Sequence, residues 1–412
     1  MKKIVFRNGI YTVFRPLCYV CKVFGLASYS FVADRRNKRV TADYGYWNYM
    51  FTVIWLIVFT VGLPAHILQA YSVEVDSQTL YITFVLYVIY SYISTIMVLV
   101  WVSFIKRRKF LEVIEKVAEV DNKIRYTLQE ETYMNRNMMI NVISEIILLT
   151  VIQFSVIIHN VYTFKREVYY TLILEIICIF ATYICNTLFL FQYLNLVFMV
   201  KQRYSHLNKR LTNWISGTVS RPNSLNKGNE DCSLSNMAVD RGILTTLFVS
   251  SFGNTQGTLR QTDIHLLRQI YSELYDIICL INDTYSIPIL LTMCWLLTTI
   301  LCCLYETLVN FNRWAVTDIV YVITCLSLAF KVTFFCHTAT NEARSSNILV
   351  QKLLLLENCR NECVKELKLF SLQLQILTNE YSACGFFSLN LKFFTTVISL
   401  IVSYIIIMIQ IT

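Results

Sequence analysis

The sequence predicts an all-α membrane protein with seven transmembrane helices, an intracellular N-terminus and an extracellular C-terminus. Hydrophobic residues make up 56% of the 412 positions and charged residues only 15%. Soluble domains are about 45–50% apolar and about 25% charged. Seven apolar segments are long enough to cross a bilayer, and lysine and arginine are concentrated in alternate connecting segments. Together these observations exclude an ordinary soluble fold.

Each predicted span contains the roughly 20 mostly apolar residues that a helix needs to cross the hydrocarbon core. The N-terminus is not read as a cleaved signal peptide, because Arg15, Pro16 and Lys22 interrupt its apolar residues. The first helix is therefore expected to remain in the mature protein. The seven predicted spans are residues 47–71, 80–105, 138–164, 169–200, 286–310, 315–340 and 385–410.

The placement of lysine and arginine predicts the orientation, because cytoplasmic segments of membrane proteins carry an excess of both. The N-terminal segment and every second segment after it hold 31 of the 36 lysines and arginines, against three in the intervening segments. The N-terminus is therefore predicted inside the cell, and seven spans place the C-terminus outside. This orientation is opposite to that of G-protein-coupled receptors, and it excludes that class.

Three segments on the predicted cytoplasmic side carry apolar residues at heptad spacing, which is typical of helices that pack against a partner helix. They lie within residues 200–214, 267–281 and 353–377. We predict that the fourth and fifth membrane helices continue into the cytoplasm, and that another helix precedes the seventh span. Together they would form an anchor bundle below the membrane. The alternative is that each stripe lies on the membrane surface.

These features predict the organisation of the whole chain. Residues 217–262 are rich in Ser, Asn, Gly and Thr, a composition typical of a flexible linker. The predicted order is a cytoplasmic N-terminal segment (1–46), helices one to four (47–200), cytoplasmic extensions that include the linker (201–285), helices five and six (286–340), a cytoplasmic anchor helix (341–384) and the seventh helix (385–412).

The seventh span carries a polar stripe on one helical face. A polar stripe inside a bilayer must face protein or water rather than lipid. A ring of such helices would line a wet pathway, in which Ile406 and the adjacent Ile407 would form an apolar collar that gates by dewetting. The alternative is that the hydroxyls bond to their own helix, or that small polar residues mark a helix contact. The stripe, at 3-4-3-4 spacing, consists of Thr396, Ser399, Ser403, Ile406 and Gln410.

The last ten residues resemble the signature of insect gustatory receptors, which reads Thr-Tyr, five hydrophobic residues and then Gln-Phe. Tyr404 and Gln410 match this signature, as does the spacing between them. Ser403 stands in place of the threonine and Ile411 in place of the phenylalanine. The position at the C-terminal end, the length, the seven helices and the inside N-terminus extend the resemblance over nearly the whole chain.

The resemblance implies a ligand-gated, non-selective cation channel in which four subunits surround a central pore lined by the seventh helix. The expected function is that of a gustatory receptor, a multi-pass protein of the plasma membrane of chemosensory neurons. Its expected partners are a small-molecule tastant, permeating cations, the lipid membrane and other copies of itself or of related gustatory receptor subunits. Neither a cofactor nor a nucleic acid is expected.

In such receptors each subunit has its own ligand pocket in the outer half of the first six helices. Carboxylates at membrane depth are costly unless they are paired or hydrated. Beside aromatic rings they suit the hydroxyls of a sugar, or a cationic bitter compound through cation–π contact. The alternative is that Glu306 and Asp318 are solvated by headgroups at helix ends. The predicted ligand-binding residues are Tyr87, His159, Asn160, Glu175, Tyr305, Glu306, Asp318 and Tyr321.

Two other function classes remain open at this stage. A membrane-embedded lipid enzyme would need clustered catalytic residues, but the five histidines are scattered and form no recognisable motif. A secondary transporter would be expected to show internal repeats, and none is visible. Cys18 and Cys21 have no second cysteine pair to complete a zinc site, so no metal is predicted.

Overall fold

The computed structural model describes most of the predicted helices but not the third span. Of residues 138–164, only positions 144, 147 and 151 are described, and each of them is helical. The predicted linker lies outside the described residues between positions 220 and 260. The described residues are 5–7, 17–34, 39–43, 46–72, 78–124, 144, 147, 151, 169–219, 261–309, 315–355 and 361–411.

Helices dominate the described part of the chain. A short 3₁₀ turn, Tyr46–Tyr49, precedes the first long helix, and a π-helical turn, Trp101–Ile105, ends the second. The other described helices comprise six that match predicted apolar segments, in the predicted order, and two that lie in segments predicted to be cytoplasmic. They are α1 (Met50–Ser72), α2 (Gln78–Val100), α3 (Arg107–Ile124), α4 (Tyr169–Val219), α5 (Gln261–Val309), α6 (Ala315–Leu354), α7 (Asn361–Ile376) and α8 (Leu391–Ile411).

Two small antiparallel sheets accompany the helices. The first has the strand order β1-β3-β2, and Val5 lies opposite Thr41 in it. The second is a two-stranded hairpin between α7 and α8. The strands are β1 (Val5–Arg7), β2 (Ser30–Asp34), β3 (Arg39–Asp43), β4 (Ser382–Ala383) and β5 (Phe387–Ser388).

Five of the described helices are long and apolar enough to cross a membrane, and α8 is a shorter apolar helix. These helices correspond to the first, second, fourth, fifth, sixth and seventh predicted spans. The helix of the seventh span, α8, begins at Leu391 rather than at position 385, because the residues before it form the hairpin of β4 and β5. The predicted fold class, an all-α membrane protein, is confirmed. The candidate spans are Trp47–Pro64, Val85–Ile105, Cys178–Ser216, Gln261–Leu308 and Asp318–Leu354.

The two longest of the described helices are much longer than a bilayer requires. α4 contains 51 residues and α5 contains 49. At about 1.5 Å per residue each is about 75 Å long, whereas the hydrocarbon core is about 30 Å thick. Both helices therefore continue well beyond the membrane.

The chain divides into two compact units. The spanning unit comprises Met1–Gln202, Ser272–Asn341 and Asn379–Thr412. The extension unit comprises Arg203–Tyr271 and Glu342–Thr378. Each long helix contributes residues to both units.

Aromatic rings from three helices meet in the core of the extension unit. Tyr204 of α4 packs edge-to-face on Tyr271 of α5 at a centroid distance of 5.3 Å. Tyr271 packs in the same way on Phe370 of α7 at 5.7 Å. All three side chains are buried, and each belongs to one of the heptad stripes that the sequence shows. In this unit the stripes therefore pack against one another.

Polar contacts in the extension unit join α4 to α6 and α5 to α7. Asn208 of α4 donates to Glu342 Oε1 of α6 at 2.9 Å and accepts from Ser346 Oγ at 2.6 Å. Arg268 of α5 forms an ion pair with Glu366 of α7 at 3.6 Å. Because Asn208 and Ser346 are both buried and bond to each other across two helices, they help to set the register of helices whose apolar stripes alone would allow sliding.

The third heptad segment is divided between two helices rather than lying on one. α6 continues past the predicted end of the sixth span to Leu354, so Leu353 is buried on α6. Leu367 is buried on α7, which begins at Asn361. The 3-4 spacing of apolar residues continues across the interval between α6 and α7. For this reason the pattern alone did not show where α6 ends.

In the spanning unit, residues 17–29 pack closely against α1 and α2. The carbonyl oxygen of Gly25 accepts hydrogen bonds from Thr52 Oγ1 and Ser103 Oγ, both at 2.7 Å. Trp55 Nε1 donates to the carbonyl of Val23 at 2.9 Å. Gly25 has φ +75°, and a Cβ added to it would lie 2.8 Å from the Cα of Thr52. The site therefore requires glycine both for its conformation and for its space.

Replacing Gly25 by alanine is expected to lower the free energy of unfolding by more than about 2 kcal/mol, because strain at positive φ adds to a backbone clash. Gly385 provides a matched control, since its φ is +73° but nothing lies within 4 Å of an added Cβ. Gly385→Ala should cost only about 1 kcal/mol. Thermal unfolding of the detergent-solubilised proteins measures both, and equal losses would contradict the steric argument.

A buried amide joins α2 to α4 inside the spanning unit. Asn186 Nδ2 donates to Thr95 Oγ1 at 2.8 Å, and Asn186 Oδ1 accepts from Ser94 Oγ at 3.1 Å. All three residues are buried. Hydrogen bonds of this kind hold membrane helices together where the hydrophobic effect cannot.

The helix α5 contains Pro288, which has no backbone N–H. The carbonyl of Thr284, four residues earlier, therefore lacks its usual intrahelical donor. Trp101, at the end of α2, supplies a donor instead, because its Nε1 lies 2.9 Å from that carbonyl oxygen. The carbonyl that Pro288 leaves without a donor thus receives one from the π-helical turn that follows α2.

Candidate functional site

Aromatic side chains from α4, α5 and α6 form a connected group in the spanning unit. Tyr183 packs edge-to-face on Trp295 at 5.6 Å and on Tyr321 at 5.9 Å. Tyr183 and Trp295 are buried. The indole N–H of Trp295 is also buried and has no acceptor among the described residues. This group therefore presents ring faces together with a free hydrogen-bond donor.

Tyr87 of α2 lies beside the same group. It is within electrostatic range of Tyr321 and Cys325 on α6 and of Cys302 and Cys303 on α5. Of the residues predicted to bind ligand, the structure thus brings Tyr87 and Tyr321 together from two different helices.

Two of the predicted carboxylates lie close to each other at the ends of α5 and α6. Glu306 and Asp318 are within electrostatic range, and Cys303 lies near both. Both carboxylates are half-buried. Asp318 Oδ2 is buried and accepts no hydrogen bond from the part of the chain that the structure describes. A buried carboxyl oxygen without a partner is suited to accept a hydrogen bond from a hydroxyl or a cationic group of a ligand.

The structure describes the remaining predicted ligand-binding residues only in part. Tyr305 is buried on α5, one residue before Glu306. Glu175 belongs to α4, but its side chain is not described. His159 and Asn160 lie outside the described residues. Ligand binding by this set stays a prediction.

Sequence reasoning did not select Tyr183 or Trp295, although both lie at the centre of the aromatic group. α4 and α5 are apolar on every side within the membrane, so periodicity does not show which face points to the protein interior. The one available signal was the side-chain type, since Tyr and Trp carry polar atoms that need a partner when they are buried.

The helix α8 has two clearly different faces. Its inward face holds Ile401, which is buried, and Phe394, whose ring lies 5.4 Å from that of Phe330 on α6. At about 100° per residue, this face is opposite to the polar stripe. The members of the stripe, all exposed, are Thr396, Ser399, Ser403, Ile406 and Gln410. The stripe therefore points away from its own subunit.

The hydroxyls of the stripe are satisfied within α8. Ser399 Oγ donates to the carbonyl of Thr395 at 3.1 Å, and Ser403 Oγ donates to that of Ser399 at 2.9 Å. Such bonds lower the cost of a hydroxyl in an apolar medium but leave its oxygen able to accept from water. Ile407, beside the stripe, is also exposed, and so is Tyr404, which lies about 120° from the middle of the stripe.

A short linker connects α7 to α8, and α5 holds it in place. Asn282 Nδ2 donates to the carbonyl of Glu380 at 2.8 Å, and the backbone N–H of Ser382 donates to Asn282 Oδ1 at 3.3 Å. Between these two contacts, Tyr381 is buried. One side chain of α5 therefore binds the linker on both sides of a buried tyrosine, just before the hairpin that leads into α8.

Comparison with known proteins decides the family. The family model for the 7tm chemosensory receptor matches residues 14–412, almost the whole chain. The chain belongs to the 7tm chemosensory receptor family. The resemblance to insect chemoreceptors inferred from the C-terminal residues is thereby confirmed.

Solved structures agree with this family at the level of the fold. The chemosensory receptor chain is similar to the insect olfactory receptor OR5 from Machilis hrabei, with a TM-score of 0.66, 11% sequence identity, and coverage of 98% of this chain and 99% of that chain. The same receptor in complex with eugenol matches with a TM-score of 0.62, 10% identity and the same coverage. No curated protein matches by sequence.

Membership of this family means that the protein is a membrane chemoreceptor and not an enzyme. The lipid enzyme and the secondary transporter are therefore no longer alternatives for this chemosensory receptor.

Proposed function

We propose that the protein is a gustatory receptor that acts as a tastant-gated, non-selective cation channel in the plasma membrane of chemosensory neurons. Four copies of α8 would line the pore, in a homotetramer or in a heterotetramer with related subunits. A sugar or a bitter compound would bind in the outer half of the first six helices. The observation that carries the proposal is the exposed polar stripe of α8, which faces away from its own subunit.

An exposed polar stripe within a membrane needs water or protein beside it. A central pathway shared by several copies of α8 provides water, and it explains why the stripe is opposite the face that packs on α6. The gustatory assignment, rather than an olfactory one, is supported by Tyr404 and Gln410 at the positions of the gustatory receptor signature.

The exposed apolar residues of α7 support assembly into a multimer. The buried face of α7 contains Leu367 and Phe370. On the opposite face Leu369, Leu372 and Ile376 are 47%, 56% and 76% exposed. Contiguous apolar surface of this kind marks interaction sites. Contact with neighbouring subunits would cover it.

Small-molecule binding is supported by the similar olfactory receptor, whose structure is known in complex with eugenol. In this chain the group around Tyr183, Trp295 and Tyr321 offers ring faces, and Asp318 offers a free carboxylate oxygen. A ligand with both an apolar face and a hydroxyl or cationic group would use both features.

Asp318→Asn is expected to raise the half-maximal concentration of the activating tastant about fivefold, because one hydrogen bond contributes about 1 kcal/mol. The increase should be larger for a cationic tastant than for a sugar, since the amide also removes the charge. Asp276, which is exposed on α5, provides the matched control Asp276→Asn. Dose–response curves for both variants measure the effect. Equal potency in Asp318→Asn and the unmodified receptor would exclude this carboxylate from the ligand site.

Expression in a cell without chemoreceptors, followed by calcium imaging with a tastant panel, tests the proposal. Inside-out patches washed free of GTP then separate an intrinsic channel from a receptor that signals through G proteins. We expect tastant-evoked, non-selective cation currents that persist in these patches. A response that is lost without GTP would overturn the channel proposal.

A further inference from the structure

We propose that the beginning of α3 forms a binding site for the phosphate headgroups of anionic phospholipids in the inner leaflet. The site lies where α2 ends and consists of Lys106, Arg108 and Lys109, positioned by Arg107. It goes beyond the proposed channel function, and it depends on the predicted orientation, in which this end of α2 faces the cytoplasm.

Positive charge exceeds negative charge at this site. Lys106 Nζ lies 2.9 Å from Asp283 Oδ1, and Lys109 forms an ion pair with Oδ2 of the same residue. Two ammonium groups thus share one carboxylate, which leaves a net positive charge. The hydrogen bond to Asp283 raises the pKa of Lys109, so the side chain stays protonated. The shared carboxylate also holds both lysines on one side of α3.

Arg107 fixes the first turn of α3 from the inside. Its guanidinium is buried, donates to the hydroxyl of Tyr49, and lies 4.7 Å from the centre of the Tyr49 ring. It also approaches the carbonyl of Ser28 at 3.4 Å. Phe104 stacks on the same ring at 5.4 Å. These contacts hold the start of the helix in place, while the next residue, Arg108, is exposed.

Arg108 is the basic residue of this site that is available to bind a phosphate group. It is exposed, and it forms no hydrogen bond or ion pair with the residues that the structure describes. A planar guanidinium binds a phosphate through two parallel hydrogen bonds. The first N–H groups of α3 are close by in sequence and favour an anion as well.

The surroundings favour a lipid over a soluble anion or a nucleic acid. Phe104 and Ile105, immediately before the basic residues, are 48% and 54% exposed. They belong to the end of an apolar span, so acyl chains would cover them. Basic residues directly following an apolar span with exposed apolar side chains match the amphipathic structure of an anionic lipid, and clusters of Lys and Arg at this position bind such lipids.

The full-length receptor in phosphatidylcholine nanodiscs, titrated with phosphatidylglycerol, provides the test. Native mass spectrometry counts the phosphatidylglycerol molecules that each protomer retains. We expect Arg108→Gln to weaken retention at the tightest site about fivefold, since one basic residue near an anionic surface contributes about 1 kcal/mol. Arg108→Lys should retain most of the binding. Inorganic phosphate at the same concentration should not displace the lipid.

Lys209→Gln provides the matched control, because Lys209 is an exposed basic residue of the extension unit. It removes the same charge and should leave retention unchanged. Equal retention by Arg108→Gln and the unmodified receptor would overturn the proposal, and so would an equal loss in Lys209→Gln. Displacement by inorganic phosphate would overturn the assignment to a lipid. The readout requires no channel activity, so it is independent of the proposed function.

Discussion

Replacing Ile406 by threonine is expected to raise the basal current of the receptor by more than about tenfold. Ile406 is the apolar member of the exposed polar stripe on α8 and is 51% exposed. In the proposed channel four such side chains would form an apolar collar that excludes water from the closed pore. A hydroxyl at each position admits water, and a tenfold change corresponds to about 1.4 kcal/mol off the barrier. Whole-cell recording in the absence of tastant measures this basal current.

Ile398 on the same helix provides the control. It is 39% exposed, and its angular position is about 120° from the middle of the stripe. Ile398→Thr makes the same chemical change on a face that would not line the pore. Its basal current, normalised to the amount of protein at the cell surface, should match that of the unmodified receptor. If both variants behave alike, the stripe does not face a conducting pathway.

Replacing Asn282 by alanine is expected to reduce the ratio of tastant-evoked to basal current by up to about thirtyfold. Asn282 bonds α5 to the backbone on both sides of Tyr381, just before the hairpin that leads to α8. Each hydrogen bond has a net contribution of about 1 kcal/mol, so the loss of both corresponds to about 2 kcal/mol of coupling. Ligand contacts on α5 would then move α8 less effectively.

A graded variant makes this prediction sharper. Asn282→Asp keeps an acceptor for the N–H of Ser382 and loses the donor to the carbonyl of Glu380, so its ratio should be intermediate. Asn347→Ala is the matched control, because the Asn347 side chain of the extension unit accepts a hydrogen bond from Gln351, one turn along the same helix. The ratio of tastant-evoked to basal current in Asn347→Ala should equal that of the unmodified receptor. Normal gating in Asn282→Ala would show that the linker follows α5 by other contacts.

The spans and the helical extensions could be predicted from sequence because their signals are local and periodic. A continuous apolar run is enough to predict α2, and heptad spacing alone picked out Tyr204 and Tyr271, which are buried against each other in the extension unit. The pairing of Asn282 with the linker leaves no such signal. The two partners are about 100 residues apart, and one of them is backbone, so no side-chain pattern marks it.

The candidate ligand site was predictable in part for a similar reason. Asp318 and Glu306 are conspicuous because a carboxylate is rare in an apolar helix. Tyr183 and Trp295 could not be picked out in this way, because aromatic residues are common in this chain. In addition, a helix that is apolar on all sides gives no sequence signal for the face that points inward. Gly25 was also missed, since only the three-dimensional approach of Thr52 shows that no side chain fits there.

The bond between Trp101 and the carbonyl exposed by Pro288 affects how α5 can move. A proline in the middle of a long helix usually allows the helix to bend, but here separating α5 from α2 would remove the hydrogen bond of the carbonyl oxygen of Thr284, which is a buried residue. This hydrogen bond therefore favours the one arrangement of α5 against α2 that the structure shows. Movement of α5 away from α2 is opposed until the bond is broken.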